Sequence, residues 1–164
     1  LVGRGGWEVF AKDFSDRRYV LLFLLVNDAD LFQRAKATAI RLGLPLKIVC
    51  GGFLPQYGLD AWSGVGVSEW VNLMAHASVV FTNSFHGSIF ALMFGKRLWT
   101  ARLKGDMAPK NDRVEQLFGL FGLGGVIDRD FAVVENARFD CTIKPLQVVG
   151  RKFLREIVEK VGRK

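Results

Sequence analysis

At 164 residues, half of them hydrophobic and 24% charged, the chain has room for one domain with a sizeable core and lacks the composition of a disordered protein. Its longest apolar run, Tyr19 to Val26, is eight residues, against the roughly 20 that a membrane-spanning helix needs, and no continuous apolar signal segment opens the chain. The net charge of +7 favours anionic partners, but nucleic acid is not expected among them, because no helix-turn-helix, RNP motif or zinc finger accompanies the charge.

Taken in chain order, Tyr19 to Val26 is apolar on both faces and ended by Asn27-Asp28, as a central parallel strand would be. Leu31, Phe32, Ala35, Ala39 and Ile40 then recur at helical spacing from Asp28 to Leu42, with Gly43 as the stop. Pro45 to Cys50 reads as a second strand and completes a βαβ unit. Residues Gly51 to Val67 lack a period and read as a loop. Ser68 is the expected N-cap of a helix with the apolar stripe Trp70, Leu73, Met74 and Ala77, followed by the strand Ser78–Thr82. A helix from about Phe85 to Phe94, a strand Arg97–Thr100, a basic loop Arg102–Lys110 and a helix Asp112–Phe121 continue the alternation. Gly124 to Arg138 reads as a loop with one short strand at Val126-Ile127, and a last amphipathic helix is expected from about Pro145 to Val161.

Strands alternating with helices specify an α/β fold, a doubly wound Rossmann-like parallel sheet, with ligands expected beyond the carboxyl ends of the strands. One domain is expected over 1–164, its core over 19–123. The chain begins without Met, so it reads as a domain of a longer protein. Cys50 and Cys141 are far apart and lack metal-binding spacing, so each is expected to be a buried free thiol in a reducing compartment, and no metal site is expected.

The strand-to-helix turn Thr82-Asn83-Ser84-Phe85-His86-Gly87-Ser88 is unusually polar for an interior junction. Free backbone N–H groups and the positive end of a helix dipole favour phosphate or carboxylate there, and Gly87 would permit close approach. His86 can donate to an anion or carry a proton near neutral pH. The plainer reading is that Asn83 and Ser84 cap the helix around an interior histidine. Phe85, Phe90 and Phe94 read as core. His76, late in its helix, reads as solvated or compensating the helix dipole.

The run Ser68 to Arg97 resembles the polysaccharide pyruvyl transferase family. The likeness lies in Ser68-Glu-Trp70, the strand ending Thr82-Asn-Ser-Phe-His-Gly87, and the small-residue helix ending Gly95-Lys96-Arg97. Asn111-Asp-Arg113 and the ending Leu120 to Leu123 look like a later block of the same family, with Asp112 where Ser is usual and Arg97 where Pro is common. The resemblance implies the donor-binding C-terminal half of a two-domain, GT-B-like enzyme that moves a pyruvyl group from phosphoenolpyruvate to sugar hydroxyls of a cell-surface polysaccharide. It implies no cofactor, phosphoenolpyruvate being substrate, and a sugar or glycan acceptor held by an N-terminal domain outside this chain. Without that domain the chain would catalyse little.

On that resemblance His86 is the catalytic acid/base or phosphate donor. Asn83, Ser84, Gly87 and Ser88 form the anion cradle, with Asn111 beside it. Arg113 clamps carboxylate or phosphate, and Lys104 and Lys110 are weaker candidates. A cytoplasmic location follows, with the basic C-terminal helix offering peripheral association with the inner membrane face. The rivals are half of a nucleotide-sugar glycosyltransferase and a non-catalytic module that binds an anion or polysaccharide.

Overall fold

The computed structural model describes residues 18–50, 61–62, 64–134 and 138–145. Its elements are β1 (Val20–Leu24), α1 (Ala29–Leu42), β2 (Leu46–Cys50), β3 (Ala61–Trp62), α2 (Val67–His76), β4 (Val79–Thr82), α3 (Phe85–Met93), β5 (Arg97–Thr100), a 3-10 turn (Gly105–Lys110) and α4 (Asn111–Leu120). A further helical segment, α5, occupies residues 138–145.

The strands form one parallel sheet of five, in the order β3-β2-β1-β4-β5. The α/β, doubly wound expectation is met. Alternation within the central strand explains why it is apolar throughout: Val20, Leu22 and Leu24 pack toward α1, while Tyr19 and Leu21 face the cluster built by α2, α3 and α4. Each fully buried leucine of this kind contributes about 1.5–3 kcal/mol of hydrophobic stabilisation. Order reverses between β1 and β4, so the loops leaving these two strands diverge to opposite faces and define the switch point of the sheet.

Local signals fix most boundaries. Asp28 caps α1 by accepting from the Leu31 amide at 3.0 Å, and Gly43 ends the helix at φ 64. Ser84 caps α3, and Gly95 follows the end of that helix at φ 63.

Several expectations are corrected. The N-cap of α2 is Gly66, and Ser68 lies inside the first turn. The supposed loop after β2 contains β3, whose Ala61 and Trp62 pair with Ile48 and Val49. The basic loop winds into the 3-10 turn, and α4 begins at Asn111, one residue before the expected start. Val126-Ile127 forms no strand; the chain instead touches the sheet through an antiparallel bridge between Leu98 and Ala132. The helix α5 was not foreseen. Its Phe139 stacks on Phe121 with centroids 5.4 Å apart, and Ile143 is buried one turn on. Cys141 lies on its outer face and is exposed, whereas Cys50 is buried, and neither is in a disulfide. The amphipathic helix expected to run on to Val161 lies outside the described residues beyond residue 145. Among the described residues no helix is long and apolar enough to cross a membrane.

Candidate functional site

The turn from β4 into α3 sits at the carboxyl edge of the sheet, beside the switch point. Asn83 is 1% exposed, and its amide spans the divergence of the two loops. Its Oδ1 accepts from the Leu25 amide at 2.8 Å, and its Nδ2 donates to the Val26 carbonyl at 2.9 Å. Both ends of the side chain are committed to the loop after β1. An amide is the residue type that can serve an N–H and a C=O of one neighbouring backbone at once.

Ser84 is equally committed. Its Oγ accepts from the Gly87 amide at 3.3 Å, and its own amide donates to Thr82 Oγ1 at 3.0 Å. Ser88 is fully buried and donates to the Ser84 carbonyl at 2.9 Å, with Thr100 Oγ1 at 3.2 Å. Gly87 does permit a close approach, but the partner is the sheet: a Cβ there would lie 2.5 Å from Thr82 Oγ1 and 2.8 Å from Phe23 Cδ1. The start of α3 is thus pressed onto β1 and β4, and the polar residues of the turn fasten it there.

This leaves the Phe85 and His86 amides as first-turn donors without a partner among the described residues. His86 itself is exposed, and among the described residues no hydrogen bond restrains its imidazole. It stands at the mouth of a largely apolar cavity of about 450 Å³, with Phe23, Val49, Cys50, Trp70 and Phe90 among its walls. That volume falls in the range of small-molecule sites. Trp70 is held edge-on by Phe23 at 5.4 Å and Phe90 at 4.8 Å. Its buried Nε1 has no oxygen or nitrogen acceptor among the described residues.

Phe85, expected in the core, is only half-buried. The His86 ring meets it edge-on at 5.4 Å, and the Arg113 guanidinium carbon lies 5.5 Å from its centroid. His86 and Arg113 therefore lean on one ring. Arg113 is exposed on the first turn of α4 and has no carboxylate partner among the described residues. Glu115, the neighbour that could have neutralised it, pairs with Arg102 at 2.9 Å instead. The signal that could have found Phe85 is its place directly after the N-cap, where a side chain projects from the helix start rather than toward the sheet.

The remaining candidates lie elsewhere. Asn111 is buried and clasps Leu103, accepting from its amide at 2.8 Å and donating to its carbonyl at 2.9 Å. Lys104 reaches across to the start of α1 and pairs with Asp30 at 3.1 Å; that hydrogen bond, with help from Asp28, holds its ammonium above the ordinary lysine range. Lys110 is exposed at the end of the 3-10 turn. The structure gathers His86 and Arg113 on the α3/α4 side and sends Lys104 to the α1 side. His76, late in α2, faces its own helix, with Nδ1 3.0 Å from the Asn72 carbonyl.

Fold and rim together define a doubly wound α/β domain that presents an exposed histidine and an exposed arginine at the carboxyl edge of its sheet. The sequence model of the polysaccharide pyruvyl transferase family matches residues 5–99, more than half of the chain, and the chain belongs to that family. The match takes in the His86 turn and ends before Asn111 and Arg113. No curated protein matches the chain. Among solved structures, one described as the glycotransferase of kitacinnamycin is similar with a TM-score of 0.47 and 14% identity, over 91% of this chain and 44% of that one. This chain thus spans less than half the length of that protein.

Proposed function

We propose that the chain binds phosphoenolpyruvate at the His86 edge and takes part in transferring its pyruvyl unit to a sugar of a cell-surface polysaccharide. The observation that carries this reading is the pairing of His86 and Arg113 around Phe85, at the mouth of a cavity, on the turn that the family match covers. In the overall reaction two sugar hydroxyls add to the central carbon of the donor, its methylene becomes a methyl, and phosphate leaves. Of the two hydroxyl protons lost, one ends on the methyl carbon and the other on the phosphate.

His86 suits either proton movement because imidazole exchanges protons near neutral pH and here is free to face a ligand. Arg113 offers a planar fork to a carboxylate or phosphate, with its guanidinium carbon 5.5 Å from the Phe85 centroid and no carboxylate partner among the described residues. The Phe85 and His86 amides at the positive end of α3 add two further donors. Asn83, Ser84, Gly87, Ser88 and Asn111 hold this frame in place through the bonds and packing described above, and Lys104 is drawn away from it to Asp30. The acceptor sugar is held by another part of the enzyme.

Calorimetry of the chain with phosphoenolpyruvate tests the reading. Binding should weaken at least tenfold, about 1.4 kcal/mol, in His86→Ala with an unchanged melting temperature. Equal affinity in the variant, or protection against thermal unfolding by a nucleotide sugar but not by phosphoenolpyruvate, would overturn it.

A further inference from the structure

Among the described residues, the face of the sheet that carries α1 is incompletely covered. That helix spans β1, β2 and β4, but the helix after β5 packs on the opposite face, and among the described residues Trp99 of β5 meets Phe81, Phe131 and the α1 side chain Arg34. The three rings form a cluster, Trp99 lying 6.3 Å from Phe81 and 5.3 Å from Phe131 between centroids. Two cations sit on it. The guanidinium carbon of Arg34 lies 5.1 Å from the Trp99 centroid, and that of Arg97 lies 4.3 Å from the Phe131 centroid. Arg41 follows Arg34 by two helical turns, about 10 Å along the same face of α1.

Two cavities of about 400 and 340 Å³ run along this edge and share Arg34 and Trp99 as a common wall. Their charge is graded. The upper one, near the strand ends, is bounded by ion-paired groups, Lys104 with Asp30 and Arg102 with Asp128. The lower one has no acidic side chain among its described lining residues, and Arg34, Arg41 and Arg97 have no carboxylate partner among the described residues. Arginines stacked on aromatic faces keep their edge donors free, the arrangement that recognises carboxylates bidentately.

We propose that this groove binds a carboxylate-bearing polysaccharide, with Arg34 and Arg41 taking acidic groups spaced along one chain and Arg97 contributing from β5. The choice of polymer rests on the reading of the protein as a glycan-modifying transferase; the anionic character of the ligand rests on the charge of the groove alone. The groove lies on the face of the sheet opposite the His86 cavity.

Affinity electrophoresis of the chain through gels containing polygalacturonate, neutral dextran, polyglutamate or oligothymidylate tests the proposal. Polygalacturonate should retard the chain and dextran should not, with retardation falling as salt is raised. Arg34→Gln with Arg41→Gln should weaken retardation at least tenfold, and Arg97→Gln alone should weaken it severalfold; all three positions are exposed, so folding is checked by an unchanged melting temperature. His86→Ala should migrate as the parent does. Unchanged retardation in the double variant, or retardation by polyglutamate or oligothymidylate equal to or stronger than by polygalacturonate at matched charge, would overturn it. Calorimetry with phosphoenolpyruvate on the same proteins separates the two ideas, since the arginine variants should keep donor affinity and the histidine variant should lose it.

Discussion

Two stretches of one rim, both at the carboxyl edge of the sheet and both basic in sequence, end in opposite electrostatic states. On the α1 side Arg102 is bonded to Glu115 and Asp128, each at 2.9 Å, and Lys104 to Asp30. Glu115, aided by Asp128, raises the Arg102 guanidinium further above its already high ordinary value. On the α3/α4 side Arg113 lies over an aromatic ring with no carboxylate partner among the described residues, and His86 is exposed beside it. The net charge of +7 says nothing about which cations remain available; the pairing of Glu115 decides it. A basic loop is therefore a poor guide to a binding site until its counter-ions have been placed.

The largest way to disturb this contrast is to unseat α3. Gly87→Ala places a methyl against Thr82 and Phe23, where overpacking of a tight core costs about 1–3 kcal/mol, so the denaturation midpoint should fall clearly. Asn83→Ala should cost at least as much, because it strands the Leu25 amide and the Val26 carbonyl, at about 1–3 kcal/mol for each group that water cannot reach. Both variants should lose phosphoenolpyruvate binding together with stability when the two are measured side by side.

His86→Ala sharpens the comparison from the other direction, since it should abolish most donor binding while the unfolding curve stays in place. Arg113→Lys should have a smaller effect, weakening donor binding about threefold to tenfold in calorimetry, because an ammonium keeps the charge but loses the planar fork. Glu115→Gln, which leaves Arg102 paired with Asp128 alone and does not touch Arg113, should leave donor affinity within about twofold; a large gain would mean that the paired half of the rim also reaches the ligand.

The smallest effect belongs to Lys104→Gln. The pair it breaks is exposed, with side-chain exposures of 73% and 81%, and exposed pairs contribute little. Its sign is fixed nonetheless. The ammonium is held above its ordinary value in the folded chain, so the contribution is complete below the ordinary lysine range and fades as pH rises through the elevated one. Comparing melting temperatures of parent and variant near neutrality and at high pH should show a slight difference that vanishes at the alkaline end.

Much of the architecture was legible from local chemistry. The apolar run at β1, Asp28 with its cap bond, Gly43 at positive φ and the polar turn before α3 each act over a few residues, so their pattern survives in the sequence. The elements that escaped notice owe their existence to distant partners. The two-residue β3 is defined by pairing with β2, α5 by the stack of Phe139 on Phe121, and the bridge at Ala132 by the exposed edge at Leu98.

For the site, the sequence alone determined that an α/β chain carries Asn, Ser, His and Gly at a strand-to-helix turn, because strand alternation, capping and helix periodicity are properties of neighbours. Tertiary structure decided how those groups divide the work. Asn83 faces the loop after β1, 58 positions away at Leu25, and Ser88 meets Thr100, so these side chains are consumed in fastening the turn, while Gly87 leaves no room for a Cβ against Phe23. Phe85, a core residue by pattern, became the ring shared by His86 and Arg113. Which polar group stays available to a ligand depends on which others find partners, and those partners come from strands and loops remote in sequence that only the closed sheet brings within hydrogen-bond distance.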